Sequence, residues 1–306
     1  MTRDLTVNVG YFSSDTPLKA VRRLSDCEIK KVEFNGLPLL ALSNRLRKEL
    51  KGIMVGEGIE AVSISAVTDL VPVNLGNLAS LNKDERRRGI DHVKRCVELA
   101  DYFGATRIVC DTGTTCEDFV ETEINDAALG ESLEEILQFA TPQGLKVVLL
   151  NVPGRRWIVW DGLPPDRWRV VERHVWPWRA WPDREEIVNN LNQRLSGRVW
   201  WAFDTANEVV AHGTHPFHLS EVASFYLENR LEIIYLANHP GPFNKVWHRT
   251  LLHQHLYEGH YTRADFQEML KVLEKERFSG ELILQIREKE PGEEALRKSI
   301  RLFQRL

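Results

Sequence analysis

The chain predicts an α/β fold, a (β/α)8 barrel, on three observations. Short runs rich in Val, Ile and Leu alternate with helical segments eight times over 306 residues. Several runs are apolar throughout instead of alternating, as strands buried on both faces of a parallel sheet require. The first turn, Gly10-Tyr-Phe-Ser-Ser-Asp15, lacks the glycine-rich phosphate loop of a doubly wound nucleotide-binding sheet.

Leu5-Thr-Val-Asn-Val-Gly10 reads as the first strand, and Ile29-Lys-Lys-Val-Glu-Phe34 as the second, with Glu33 near its exit. Residues 38–50 carry Leu39, Leu40, Leu42, Leu46 and Leu50 at helical spacing, and Gly52 is the expected stop. Ile59–Ser65 is the third strand. Its long exit runs to Asn82, where Asn82-x-x-Glu85 matches a capping box opening a helix to about Phe103. Thr106–Asp111 is the fourth strand, followed by Thr112-Gly113-Thr114. A helix over 131–140 precedes the fifth strand, Leu145–Leu150.

The rhythm then breaks. Residues 151–182 hold six of the chain's nine tryptophans, together with clustered prolines and arginines. A stretch this long between elements reads either as a surface insertion or oligomer contact, or as a lid whose indole faces, Trp157 among them, cover a ligand. Asp183-x-x-Glu186 caps the next helix, which ends near Ser196-Gly197. Val199–Asp204 is the sixth strand, an apolar run ending in an acid. A helix over 217–229 leads to the seventh strand, Leu231–Ala237. Thr262-x-x-Asp265 opens a helix to about Glu276, Glu281–Ile286 is the eighth strand, and 293–305 is a last helix. No internal repeat or linker divides the chain, so 1–306 reads as one domain with 151–182 as a loop insertion or lid.

With 43% hydrophobic and 27% charged residues and a net charge of −4, the composition is that of an ordinary globular chain. No run approaches the ~20 apolar residues of a membrane helix. The first residues lack the basic-then-apolar layout of a signal peptide. Four cysteines without C-x-x-C spacing read as reduced thiols, so the expected location is cytoplasmic. The mild negative charge gives no electrostatic case for nucleic acid, and Arg86-Arg87-Arg88 reads as a solvated helix face.

Lys31-Val-Glu33, Asn74–Ser80, Gly144–Asn151, Phe203-Asp-Thr-Ala-Asn207, His255–His260 with Asp265-Phe266, and Phe278–Ile286 follow one another in a characteristic order. In that order the chain resembles the xylose isomerase-like TIM barrels, the superfamily of sugar phosphate isomerases and epimerases and of metal-dependent apurinic endonucleases. The resemblance implies a divalent metal held by Glu, Asp, His and Glu at the ends of strands five to eight. Those positions fall on Leu150, Asp204, Tyr235 and Gln285. A further family His falls on Asn207, a family Asp on Asn238, and the endonuclease histidines on Ser65 and Asp111. Leucine has no lone pair and glutamine is a weak ligand for a hard cation, so the resemblance implies a divergent member without the inherited metal site. The other histidines, from His212 to His218 and from His248 to His260, read as solvated or capping groups. A relocated metal site ranks last.

The groups expected at the barrel mouth are Glu33, Asp111, Asp204, Asn207, Tyr235, Asn238, His239, His255, Gln285 and Arg287. Each also has a structural reading: Glu33 as the partner of an arginine, Asp111 capping its loop through Thr114, Asn238 as a turn residue, Gln285 bonded within the core. The resulting expectation is a metal-independent isomerase, epimerase or lyase acting on a small sugar-like or oxygenated substrate, with no cofactor. Asp204 or Asp111 would be the general base and His239 or His255 the acid. Tyr235 and Arg287 would stabilise an enolate or carboxylate, while Glu33, Asn207, Asn238, Gln285 and Trp157 would hold substrate. The alternative is a non-catalytic small-molecule-binding or regulatory barrel. Exposed tryptophans would favour homo-oligomers, and no membrane partner is expected.

Overall fold

The computed structural model describes residues 5–67, 75–111, 122–150, 181–206, 218–238, 255–256, 259–286 and 292–306. Its strands are β1 (Thr6–Asn8), β2 (Lys31–Asn35), β3 (Glu60–Ser65), β4 (Arg107–Asp111), β5 (Lys146–Leu150), β6 (Trp200–Asp204), β7 (Leu231–Leu236) and β8 (Glu281–Leu284). They pair in chain order as a closed barrel, β8 returning to β1 in parallel. The helices are α1 (Pro17–Asp26), α2 (Gly36–Leu40), α3 (Asn44–Glu57), α4 (Lys83–Phe103), α5 (Thr122–Ala140), α6 (Trp181–Arg194), α7 (Leu219–Glu228), α8 (Arg263–Lys275) and α9 (Glu293–Gln304). The expected (β/α)8 architecture is therefore the observed one.

Strand periodicity divides the apolar residues between two cores. Val7, Val32, Phe34, Ile64, Ile108, Val147, Trp201, Phe203 and Ile234 face outward and pack with the helices. Val109, Val148, Leu150, Ala202, Ile233, Tyr235 and Ile283 form a separate cluster within the barrel. Each inward position of one strand lies beside an inward position of the next, as in Val109↔Val148 and Leu150↔Ala202. That alignment decides which strand-end side chains can meet.

The leucine-rich stretch read as one helix over 38–50 is two, α2 and α3. Ser43 separates them: its Oγ accepts the Leu46 N–H at 3.4 Å and caps α3. Gly52 does not end the helix, because right-handed backbone is open to glycine and Met54 beyond it is buried against the core. The stop is Gly58 at φ 63°, a left-handed turn suited to glycine. α5 begins at Thr122, ahead of the expected 131, and α6 begins at Trp181, which puts Asp183 inside the first turn. At α4, Asn82 Oδ1 accepts from the N–H groups of Asp84 and Glu85. Glu85 itself accepts from Ser80 Oγ at 2.7 Å, so the reciprocal half of the expected capping box goes to a different partner. Thr262-x-x-Asp265 opens α8 as expected, with Asp265 Oδ2 accepting the Thr262 N–H at 2.6 Å.

Gly76, at φ 98°, brings the segment entering α4 directly onto that helix. A Cβ there would lie 2.1 Å from Gly89 N and 2.5 Å from Glu85 O, both backbone atoms that cannot swing aside. Gly76→Ala is expected to cost about 2–4 kcal/mol, combining left-handed strain with overpacking. Urea unfolding would read it as a lowered midpoint at unchanged slope.

The N-terminal end of the barrel is closed by charge. Arg107 Nε and Lys146 Nζ reach Glu232 Oε1 at 2.7 and 2.8 Å. Glu281 accepts from Thr6 Oγ1 at 3.1 Å and lies 3.6 Å from Arg107. Lys146 and Arg230 also sit over the Trp200 ring, at 4.2 and 4.1 Å from its centroid. Among the described residues, no helix is long and apolar enough to cross a membrane.

Candidate active site

The inward face carries a polar rack just above the apolar barrel layer. Asn8, Glu33 and Ser63 are register partners on β1, β2 and β3, with a register shift after Val32 that aligns Glu33 with Ser63. Asn8 Nδ2 donates to Glu33 Oε1 at 2.7 Å, and Ser63 Oγ donates to Oε2 at 2.7 Å. Asn8 Oδ1 accepts the Gly10 N–H at 2.8 Å, which fixes the amide so that its nitrogen faces the acid. From the other side of the ring, Tyr235 Oη on β7 donates to Glu33 Oε2 at 2.8 Å. Tyr235 is long enough to span the interior from β7 to β2, two strands beyond β8, and it is enclosed by Ile233, Ile283 and Leu150.

Burial raises the Glu33 carboxyl above its ordinary range, against the three hydrogen bonds that favour the anion. Burial also pushes the Tyr235 phenol well up, with the Glu33 and Asp204 charges acting in the same direction. The phenol therefore stays protonated at neutral pH. Among the described residues the partners of Glu33 are three neutral donors, Asn8, Ser63 and Tyr235, and not the expected arginine.

Asp204 ends β6 in register with Tyr235, so the two side chains share the inward face at adjacent strand ends. Its residue is 1% exposed, and Oδ1 accepts the Ala206 N–H at 2.9 Å. Next to it, Thr205 Oγ1 donates to Ala237 O at 2.5 Å and accepts the Ala237 N–H at 3.0 Å, tying the exits of β6 and β7 together. Asp111 ends β4 opposite Leu150 and is fully buried. Gln285 follows β8, its N–H donating to Leu236 O at 3.0 Å. Its Oε1 is buried with no hydrogen-bond partner among the described residues.

Two expected mouth residues are bound into the barrel wall. Asn238 Nδ2 donates to Tyr261 O at 2.8 Å and Leu256 O at 3.3 Å, while its Oδ1 accepts the Tyr261 N–H at 3.0 Å. It is a clamp between the β7 exit and the start of α8, with partners 18 and 23 residues away in the chain. His255 Nδ1 lies 2.6 Å from Ser299 Oγ on α9, and Tyr11 meets its ring edge-on at 6.2 Å between centroids. Asn207, His239, Arg287 and Trp157 lie outside the described residues, as does Thr114.

Asn8, Ser63 and His92 were not singled out from the sequence. Asn8 and Ser63 follow only from register, since nothing in their local pattern distinguishes them from strand-end polar residues. His92, on α4, is 1% exposed with Nδ1 unpartnered among the described residues and Nε2 3.8 Å from Cys96 Sγ. Burial, aided by Arg95, lowers its pKa from 6.5 to about 4, while Asp111 pulls the other way. Because the folded pKa is depressed, this stability is complete above pH 6.5 and is lost as pH falls towards 4. At 1.36 kcal/mol per unit, the loss is on the order of 3 kcal/mol, and a His92→Phe variant should lack that part of the acid sensitivity. Urea midpoints of both proteins between pH 7 and pH 4 would check it.

The four inherited metal positions do not suit a divalent cation. Leu150 belongs to the apolar interior, the Tyr235 hydroxyl is committed to Glu33, Gln285 is neutral, and only Asp204 offers a carboxylate. Among the described residues, no three His, Cys, Asp or Glu side chains are grouped to hold a metal ion.

Eight parallel strands closed in order, two of them ending in the acids Asp111 and Asp204, define a (β/α)8 barrel. The model of the xylose isomerase-like TIM barrel family matches residues 21–306, and the chain belongs to that family. No curated protein matches it in sequence. Solved structures with the same fold include D-psicose 3-epimerase with D-tagatose from Clostridium cellulolyticum H10, at TM-score 0.69 and 11% identity over 99% of this chain and 98% of that one. The IOLI protein with a binding zinc atom gives TM-score 0.71 and 15% identity over 98% and 96%. The 3-keto-D-glucoside 4-epimerase YcjR from E. coli gives 0.67 and 14% over 99% and 98%. At these identities the likeness is one of fold.

Proposed function

We propose that the chain is an isomerase or epimerase, or a related lyase, for a small sugar-like substrate, working by acid–base proton transfer without the family's cation. The observation that carries this reading is that Asp204 and Tyr235 are register partners on one inward face, with the Tyr235 hydroxyl donated to Glu33, in a mouth where the other ligand positions have changed. Asp204 is the general base and Asp111 the second acid of the site. His239 is the proton donor, and Arg287, Asn207, Gln285 and Trp157 hold the substrate. His255 and Asn238, whose polar groups meet Ser299 and Tyr261, belong to the supporting wall in this reading. The epimerase titles of the fold relatives are in keeping with it.

The same reading takes 1–306 as one domain in a reducing cytoplasm, where the buried Cys27, Cys96 and Cys110 stay free thiols. It leaves the protein free to form homo-oligomers and gives it no nucleic-acid or membrane partner. The test is a turnover screen over free and phosphorylated ketoses and aldoses, with protein dialysed against a chelator. Retained turnover is expected. Loss of activity restored by added manganese or cobalt would overturn the metal-independent mechanism. Stoichiometric binding of a sugar with no turnover would favour the non-catalytic alternative.

A further inference from the structure

We propose that Glu33 is the positioning residue of this site, holding the Tyr235 hydroxyl across the barrel so that a fixed phenol stands beside Asp204. The inference rests on the acid–base reading for its consequence in turnover, but its structural core is independent of it. Glu33 was expected to touch substrate. In the structure it is fully enclosed and both of its oxygens are taken, Oε1 by Asn8 and Oε2 by Ser63 and Tyr235. A carboxyl group already meeting three donors has little capacity left for a ligand.

What these bonds do is fix Tyr235. The phenol stands on β7, its oxygen is anchored on β2, and the anchor is itself held from β1 and β3, so four strands determine one oxygen position. Ile233 and Ile283 pack in the same buried cluster as the ring, which is 1% exposed, and close packing of this kind restricts its movement. Asp204, its register partner on β6, then shares the inward face with a phenol whose hydroxyl is anchored, and its charge acts on that phenol. Preorganised dipoles of this kind are effective because nothing has to reorient during reaction. Among the described residues, the charged and titratable groups that act on the phenol are Glu33, Asp204 and Cys110 of β4, none of them a cation. The cationic cluster of Arg107 and Lys146 belongs to the opposite end of the barrel.

The experiment uses the full chain labelled with 3-fluorotyrosine, with the Tyr235 resonance assigned by its absence in Tyr235→Phe. Glu33→Leu should move or broaden that one fluorine signal while the circular dichroism stays that of the folded protein. Glu33→Gln alone sets an amide nitrogen against the Asn8 amide. The double variant Asn8→Asp with Glu33→Gln restores a donor–acceptor match and should bring the signal back towards its original position. It also provides a folded protein if Glu33→Leu does not fold. On a substrate found in the screen, Glu33→Leu and Tyr235→Phe should each lower kcat by about 10–100-fold with little change in KM, and the combined variant should lose no more than either. An unmoved fluorine signal, or losses that multiply, would overturn the positioning role. If no substrate is turned over, the acid–base reading fails, while the fluorine signal still decides between a fixed and an unanchored phenol.

Discussion

Asp204→Asn is expected to reduce kcat by about 10²–10⁴-fold on whichever substrate the protein turns over, the range for loss of a positioned general base. The substitution is nearly isosteric, and an asparagine Oδ1 can still accept the Ala206 N–H that Asp204 Oδ1 accepts at 2.9 Å. The fold should therefore survive, with the urea midpoint little changed and the effect confined to turnover. Asparagine cannot accept a proton at neutral pH, so removing basicity while retaining shape isolates the proposed chemistry. Asp111→Asn is expected to act in the same direction from the end of β4. Full turnover in both variants would show that neither carboxylate moves the proton.

Glu232→Ala carries the largest expected effect on stability, a loss of about 3–5 kcal/mol, because it leaves buried positive charge uncompensated. Its side chain is 4% exposed, and it holds Arg107, 13% exposed, at 2.7 Å and Lys146 at 2.8 Å. Without it, the nearest carboxylate left to Arg107 among the described residues is Glu281 at 3.6 Å, beside a neutral 3.0 Å hydrogen bond to Thr106 Oγ1. Lys146→Ala should cost much less, below about 1 kcal/mol, because a side chain that is 40% exposed already has water to turn to. Urea titrations of the three proteins would rank them. The kcat of Glu232→Ala should stay near that of the parent at temperatures where it is folded. The network lies at the N-terminal ends of the strands, roughly 13 Å down β6 from Asp204 at 3.3 Å per residue.

How far the sequence could be read differed between fold and site. Barrel strands were legible because a doubly buried strand must be largely apolar, and runs such as residues 147–150 and 233–236 have few other uses. Helix ends were less so. Gly52 and Gly58 look alike in sequence, and only the packing of Met54 and the positive φ at Gly58 separate a tolerated glycine from a stop. In the site, alignment to the family singled out Asp204 and marked Leu150, Tyr235 and Gln285 as changed. It could not say what Tyr235 had become.

Local sequence therefore determined the order of elements and the family, and it marked Leu150, Tyr235 and Gln285 as residue types poorly suited to a hard cation, since each depends on residue type and spacing along one chain. The partners of Glu33 were decided only by closure of the barrel. Asn8, Ser63 and Tyr235 come from three different strands, and β7 meets β2 only across the interior. The same closure set Asn238 and His255 into the wall, because their partners Tyr261 and Ser299 are fixed by the packing of α8 and α9 onto the sheet. Side-chain direction along a strand has a period of two residues, but which inward side chains meet depends on stagger around a ring, and no linear pattern carries that information.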